Sequence, residues 1–356
     1  VKSLRLHAYE YAYVKTRSDH NWHGIQSGWD IKRMLGTVPV EEDGSVIFKA
    51  PANTPISIQP LDKDGVAIQW MRSWVTGQPG EVVSCIGCHE DQNQIAIPKR
   101  VIASQKAPSA LTLPEGGTRS FTFDLEVQPI LDRACIACHN GEGKAFDLRG
   151  GKKDKLGYGT SYLNLHPYVH RQGGEGDMVV LQPYEYHPNT SELVRLLKKG
   201  HHNVKLTDKE WKTLYNWIDY NAPDKGYFNA NVLTDLPYKG FDQIKRRKEL
   251  TDKYANGAGV DWKKEIADYA DYLKKQGPIT PVMPEKAAPV KEKTLKVKGW
   301  PFGADRIKEM LAKEKETRKV VEIAPGVKVN FVRIPAGEFV MGSYRGEPDA
   351  YPTAKV

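Results

Sequence analysis

Cys85-Ile86-Gly87-Cys88-His89 and, fifty residues on, Cys135-Ile136-Ala137-Cys138-His139 decide how this chain is read. Cys-x-x-Cys-His is the spacing of covalent c-type haem attachment. Its two thiols add to the haem vinyl groups, and the adjacent histidine ligates the iron from beneath the ring. The chain holds four cysteines, and the two motifs use all of them. Three other chemistries use paired cysteines. A four-cysteine zinc site usually separates its pairs by roughly 15–20 residues, whereas residues 89 to 134 intervene here, and zinc gives no reason for a histidine after each pair. A thioredoxin-like pair sits at the start of a helix after a buried strand, a setting that neither pair has. Disulfides of an oxidising compartment do not require this spacing twice. The reading is therefore two covalently bound haem c groups, held by Cys85, Cys88 and His89 and by Cys135, Cys138 and His139, with His89 and His139 as the proximal iron ligands.

Outward from the motifs, 356 residues at 40% hydrophobic are enough for two or three domains with cores of their own. No stretch approaches the ~18–20 apolar residues of a membrane span. Haem is attached to such motifs outside the cytoplasm, so the expected location is periplasmic or otherwise exported, with a targeting segment upstream of Val1. The net charge of +8 falls largely in the lysine-rich last third and is offset in part by haem propionates, so nucleic acid is not an expected partner. Two haems call for redox partner proteins instead. The oligomeric state is left open.

Residues 1 to about 80 read as β-rich, with strand-like runs Ser45–Phe48 and Ile56–Ile58 and a hairpin through Asp62-Lys63-Asp64-Gly65 into Val66–Trp70. Residues 101–120 read as a connector. Pro129 suits a first helical turn, and Ile130 and Ala134 share one face of a helix that runs straight into the second motif. Thr190 or Ser191 can cap a helix that Gly200 stops. Thr207 and Glu210 form a capping box for a helix with Trp211, Leu214, Tyr215 and Ile218 on one face, which ends at Asn221-Ala222-Pro223. Residues 240–277 are charged and helical, with Trp262, Ile266, Tyr269 and Leu273 as a narrow apolar face. Pro278, Pro281, Pro284 and Pro289 then open an extended linker, continued by the lysine-rich run 291–298.

Several short motifs also carry resemblances. Gly28–Arg33, Leu35–Val40, Glu42–Ser45, Met71–Trp74 and Cys85–Glu90 together resemble the middle domain of the hydrazine synthase alpha subunit, which also occurs in large exported planctomycete cytochromes. Val127–Leu131 before the second motif, and Lys199–Pro223, resemble the cytochrome c domains of the same bacteria. Val329–Ile334, Pro335-Ala336-Gly337 and Glu338–Ser343 resemble the opening of a formylglycine-generating (sulfatase-modifying) enzyme domain. That family uses cysteines further along, and none follows Cys138, so none of its catalytic residues carries over. The fold class implied is mixed and multi-domain: a β-rich N-terminal haem domain over 1–105, a mainly α cytochrome c-like domain over 106–228, a charged helical segment and extended linker over 229–325, and the start of an α+β domain over 326–356.

Distal iron ligands are sought among the remaining histidines and methionines. His201 and His202, at a helix stop, are the candidates for the second haem, and the resemblance places a histidine there. His166, His170 and Met178 are the alternatives, and His187 reads as structural. For the first haem the candidates are His20, His23 and Met71. Hydrazine synthases serve their catalytic haem with a tyrosine shortly after the motif, and Glu90–Gln94 contains none. Two haems in one chain favour a dihaem c-type cytochrome module for electron transfer as the main reading, with two alternatives: a haem enzyme acting on a small nitrogen compound at an open first haem, and a structural or sensing module fused to the C-terminal domain.

Overall fold

The computed structural model describes residues 1–10, 24–25, 31–86, 100–143, 145–155, 157–172, 181–226, 243–254, 261–285, 303–313, 318–332, 340–341 and 354–355. Residues 1–286 form one compact unit and 287–356 a second.

The first unit begins with strands β1 (Ser3–Glu10), β2 (Ile31–Pro39) and β3 (Ile56–Leu61). With β4 (Arg119–Ser120) they make an antiparallel sheet in the order β3-β1-β2-β4. Side chains alternate across a strand, and β1 uses both faces. Leu6 and Ala8 point into a small core with Leu35, Val38 and Ile56. Arg5, His7 and Tyr9, on the other face, are also buried. Gly36 is required where it stands: its φ is +146°, and a Cβ there would lie 2.5 Å from the Thr112 carbonyl oxygen. That carbonyl accepts from the Thr37 N–H at 2.9 Å, so residues 109–112 lie along the sheet. The stretch read as a connector is thus bonded into the sheet at Thr112 and at β4. The run Ser45–Phe48 forms no strand and makes a single bridge, Phe48 to Ser109. Asp62–Gly65 does turn the chain, but only Leu61 and Ala67 pair beyond it.

Helices come next along the chain. They are α1 (Phe123–Glu126), α2 (Gln128–Ala134), α3 (Thr160–Leu165), α4 (Glu192–Lys198) and α5 (Asp208–Asp219). Pro129 lies in the first turn of α2, and Ile130 and Ala134 are both buried. The capping box at Thr207 and Glu210 is formed. Asn221 and Ala222, at φ of 68° and 50°, end α5. The main core gathers Phe123, Val127, Leu131, Tyr162, Leu214 and Trp217, and Cys135 and Ile136 pack against it. Ser191 precedes α4 without capping it; its Oγ accepts instead from the His170 N–H.

α6 (Gln243–Tyr254) and α7 (Trp262–Lys275) complete the helices of this unit. Tyr269 of α7 is buried, with its ring 3.5 Å from the Arg119 guanidinium carbon and its hydroxyl donating to Glu126 at 2.9 Å. Arg33 on β2 binds Glu265 of α7 through both carboxylate oxygens. The charged helical stretch is thereby bonded to the sheet. No described helix is long and apolar enough to cross a membrane.

In the second unit, α8 (Ala304–Ala312) precedes β5 (Arg318–Ala324), β6 (Val327–Val332), β7 (Val340–Met341) and β8 (Ala354–Lys355). The turn read at Pro335-Ala336-Gly337 lies outside the described residues. β6 takes in the strand-like run from Val329 to Val332 and pairs antiparallel with β5 across Pro325-Gly326. Gly326 supplies the positive φ of that tight turn. β7 pairs with β8. Val320, Ile323, Val327 and Phe331 of this hairpin are exposed.

Sheet and helices of the first unit are joined by a buried polar cluster. Arg5 donates to Asp219 at 2.8 Å, to Gln59 at 3.1 Å and to Asn216 at 2.6 Å. Asp219 also accepts from the Ala67 N–H, and Gln59 donates to the Asp219 carbonyl. Burial pushes the Asp219 carboxyl above the ordinary carboxylate range, opposed by the Arg5 charge. Arg5→Met should destabilise the chain by about 3–5 kcal/mol in denaturant unfolding, because it strands a buried carboxylate. Replacing both Arg5 and Asp219 by apolar residues should recover part of that loss.

Two histidines give this unit an acid sensitivity. Burial, with the Lys32 and Arg5 charges, holds His7 well below 6.5, and burial beside Arg171 holds His166 at about 4. At these two sites the folded chain therefore binds fewer protons than the unfolded chain below pH 6.5, while the buried Asp224 carboxyl, raised to about 6, acts in the opposite sense. The histidine contribution to stability should fall as pH drops from about 6.5 toward 4, and His166→Gln should make stability less sensitive to that drop in urea titrations at stepped pH.

Candidate functional site

α2 delivers the second motif. Its last turn continues into it: the Cys135 N–H donates to the Leu131 carbonyl at 2.8 Å, and the Cys138 and His139 N–H groups both donate to the Cys135 carbonyl. Cys135, Cys138 and His139 are thus on one tight turn. Cys135 is half-buried against the core, and burial pushes its thiol up to about 12. Cys138 is exposed.

His139 is fixed by two contacts. Its Nδ1 lies 3.1 Å from the Phe146 carbonyl oxygen. A carbonyl only accepts, so Nδ1 carries the proton and Nε2 is the nitrogen left to ligate. The same bond orients the ring and raises the basicity of the ligating nitrogen. The ring also packs on the Phe146 ring at 4.7 Å between centroids.

Opposite stands His201. Gly200, at φ 91°, ends α4 and turns the chain into a 3-10 turn over His201–Asn203. His202 and Asn203 both take positive φ, 44° and 62°. Non-glycine residues pay for that conformation, and such strain is a feature of built sites. The His139 and His201 ring centroids are 6.1 Å apart, with 36° between their planes. Two imidazoles bound to opposite sides of one metal, at metal–nitrogen distances of about 2 Å, have centroids about 6 Å apart. The spacing therefore fits a pair of axial ligands on one haem iron. Burial, with the His202 and His139 rings nearby, lowers the His201 pKa, which favours the neutral, ligating form. His202 is exposed, its ring edge-on to His201 at 4.6 Å.

A salt bridge sets the distance between the two halves. Arg133, two residues before Cys135, is bound to both carboxylate oxygens of Glu210 and donates to the Lys205 carbonyl at 3.0 Å. Glu210 is the capping residue of α5, and Lys205 lies four residues past His201. The motif helix and the His201 turn are tied together through α5.

The other candidates stand elsewhere. The His166 ring accepts from Arg171 Nε at 2.5 Å. His170 bonds to Thr190 and packs on Tyr186. His187 lies 3.3 Å from Asp62. Of the first site, Cys85 is exposed, beside exposed Val82, Val83 and Ile86. Met71 is half-buried and its carbonyl accepts from Tyr9 and Ser57. Cys88, His89, His20, His23 and Met178 lie outside the described residues. Among the described residues no group of three or more His, Cys, Asp or Glu converges on a bare metal ion; a haem iron takes only its axial ligands from the chain. Neither the Phe146 carbonyl nor the Arg133–Glu210 bridge is signalled by any motif in the sequence.

The family model described as "Hydrazine synthase alpha subunit middle domain" matches residues 1–90. Residues 1–90 are similar to that domain. The match covers 90 of 356 residues and contains the whole first motif, Cys85 to His89. No curated protein matches the chain. Among solved structures, Kuenenia stuttgartiensis hydrazine synthase aligns at 15% identity and a TM-score of 0.41, over 64% of this chain and 40% of that one. The present chain thus spans less than half of that hydrazine synthase chain.

The geometry separates the two adjacent histidines. On the expectation of a haem at the second motif, His201→Ala should turn that haem from low to high spin in the visible spectrum, whereas His202→Ala should leave the spectrum unchanged. The opposite pattern would exchange their roles.

Proposed function

We propose that this chain is a two-haem c-type protein of the hydrazine-synthase kind, a haem enzyme acting on a small nitrogen compound at the first motif. The observation that carries the proposal is the family match over residues 1–90, which contains Cys85, Cys88 and His89. In this reading Cys85 and Cys88 would hold the first haem and His89 would ligate its iron. The exposed apolar residues Val82, Val83 and Ile86 flank the attachment point and suit contact with a largely apolar ring. A haem bound there supplies one-electron chemistry and an exchangeable axial position. The absence of tyrosine from Glu90–Gln94 argues against synthesis of hydrazine itself, so the substrate class is a small nitrogen compound rather than that reaction's own substrates.

The second motif has a different task. Cys135 and Cys138 would hold a second haem, His139 and His201 would ligate its iron, and the Phe146 carbonyl keeps His139 in the tautomer suited to that role. Such a haem would supply electron transfer rather than a place for substrate. This pair also supports the second reading, a dihaem module for electron transfer alone with both irons six-coordinate. Under either reading the chain matures outside the cytoplasm, where haem is attached, and exchanges electrons with redox partner proteins.

One gas-binding experiment separates the readings. The denatured matured protein should first show two haem additions by mass. Reduced protein should then bind carbon monoxide or nitric oxide at one iron per chain, and at two after His201→Ala. Gas binding at neither iron of the unaltered chain would exclude the open first site and leave the electron-transfer module.

A further inference from the structure

The proline-rich stretch after α7 runs across the second motif. The Val282 N–H donates to the Arg133 carbonyl at 2.7 Å, two residues before Cys135. Met283 Sδ stands 4.0 Å from Cys138 Sγ. The Glu285 carbonyl accepts from Asn203 Nδ2 at 3.4 Å, two residues past His201. Four consecutive residues, 282 to 285, therefore reach from the attachment turn to the turn carrying the opposite histidine. Pro281 and Pro284 hold φ near the extended range and forbid a helix there. Ile279, Val282 and Met283 are exposed by 47%, 49% and 65%, an apolar row beside the motif. The start of the stretch is anchored, because Tyr269 of α7 is locked between Arg119 and Glu126.

We infer that residues 279–285 are a strap over the edge of the second haem, with Met283 packed at the Cys138 attachment. The inference rests on the haem reading of the second motif. Cys138 Sγ is a free thiol in this structure; in the matured protein it is the thioether joined to the ring, so the neighbour of Met283 is the macrocycle edge. Methionine suits that place, since its unbranched, polarisable thioether fills irregular apolar gaps. The axial positions are taken by His139 and His201, so Met283 is a positioning residue and not an iron ligand. Covering the ring edge removes water and lowers the local dielectric. That disfavours the more highly charged oxidised iron and raises the reduction potential.

The test uses the full chain, matured with haem, and two variants. Met283→Gln makes the contact polar, and Val282→Pro removes the N–H that bonds to Arg133. Mass spectrometry first counts the haems. At a solution potential midway through the second haem's transition, its reduced-to-oxidised ratio should fall at least threefold in each variant, with the first haem unmoved. A methionine oxidant at low dose should convert Met283 several-fold more slowly in the unaltered chain than in Val282→Pro, read by peptide mass. Both results together support the strap. With two haems attached, failure of either result overturns it and leaves the haem reading intact. An unaltered chain lacking haem at Cys135 and Cys138 overturns the haem reading of that motif, and the strap with it.

Discussion

The Arg5–Asp219 ion pair is the contact on which the rest of the first unit depends. It joins the third residue of β1 to the last residue of α5, and both side chains are almost wholly removed from water. A charge in that position is costly unless every group around it is bonded. Gln59, Asn216 and the Ala67 N–H supply most of those bonds, while Asp219 Oδ1 has no partner among the described residues. The opposite end of α5 carries Glu210, which binds Arg133 beside the second motif. One twelve-residue helix thus connects the N-terminal sheet, at its C-terminal end, to the turn of the second Cys-x-x-Cys-His motif, at its N-terminal end.

That arrangement explains how a chain of short motifs brings two histidine rings to a defined spacing. His139 is held from downstream in the chain, by the Phe146 carbonyl, and His201 from upstream, by the left-handed Gly200. Neither constraint sets the distance between the rings. The Arg133–Glu210 bridge and the Lys205 carbonyl do so, from outside the site. The fit of the 6.1 Å spacing to an axial pair is a property of the whole helical layer.

Much of this was legible in the residues. Local rules sufficed wherever one segment decides its own shape: the capping box at Thr207 and Glu210, Pro129 at the start of α2, Gly200 at the end of α4. The Cys-x-x-Cys-His turn belongs to the same class. Partners distant in sequence were not legible. Residues 1–80 read as β-rich, but the alternation of Leu6 and Ala8 with Arg5 and His7 does not show that the polar face of β1 is buried as well. Strand β4 is two residues long and pairs only because β2 offers an edge. The nearness of His201, rather than His202, to the His139 ring depends on how the 3-10 turn after Gly200 is set, which no composition or spacing encodes. Residues 282–285 read as linker because prolines forbid a helix; prolines do not forbid docking.

The central claim is that His139 and His201 hold one iron between them. Electron paramagnetic resonance of the oxidised, matured protein at low temperature tests it most directly. An axial pair predicts a low-spin ferric signal of the bis-imidazole type, integrating to one iron per chain, beside a separate signal from the first haem. A second haem that is high-spin, or low-spin with histidine–methionine character, would contradict it.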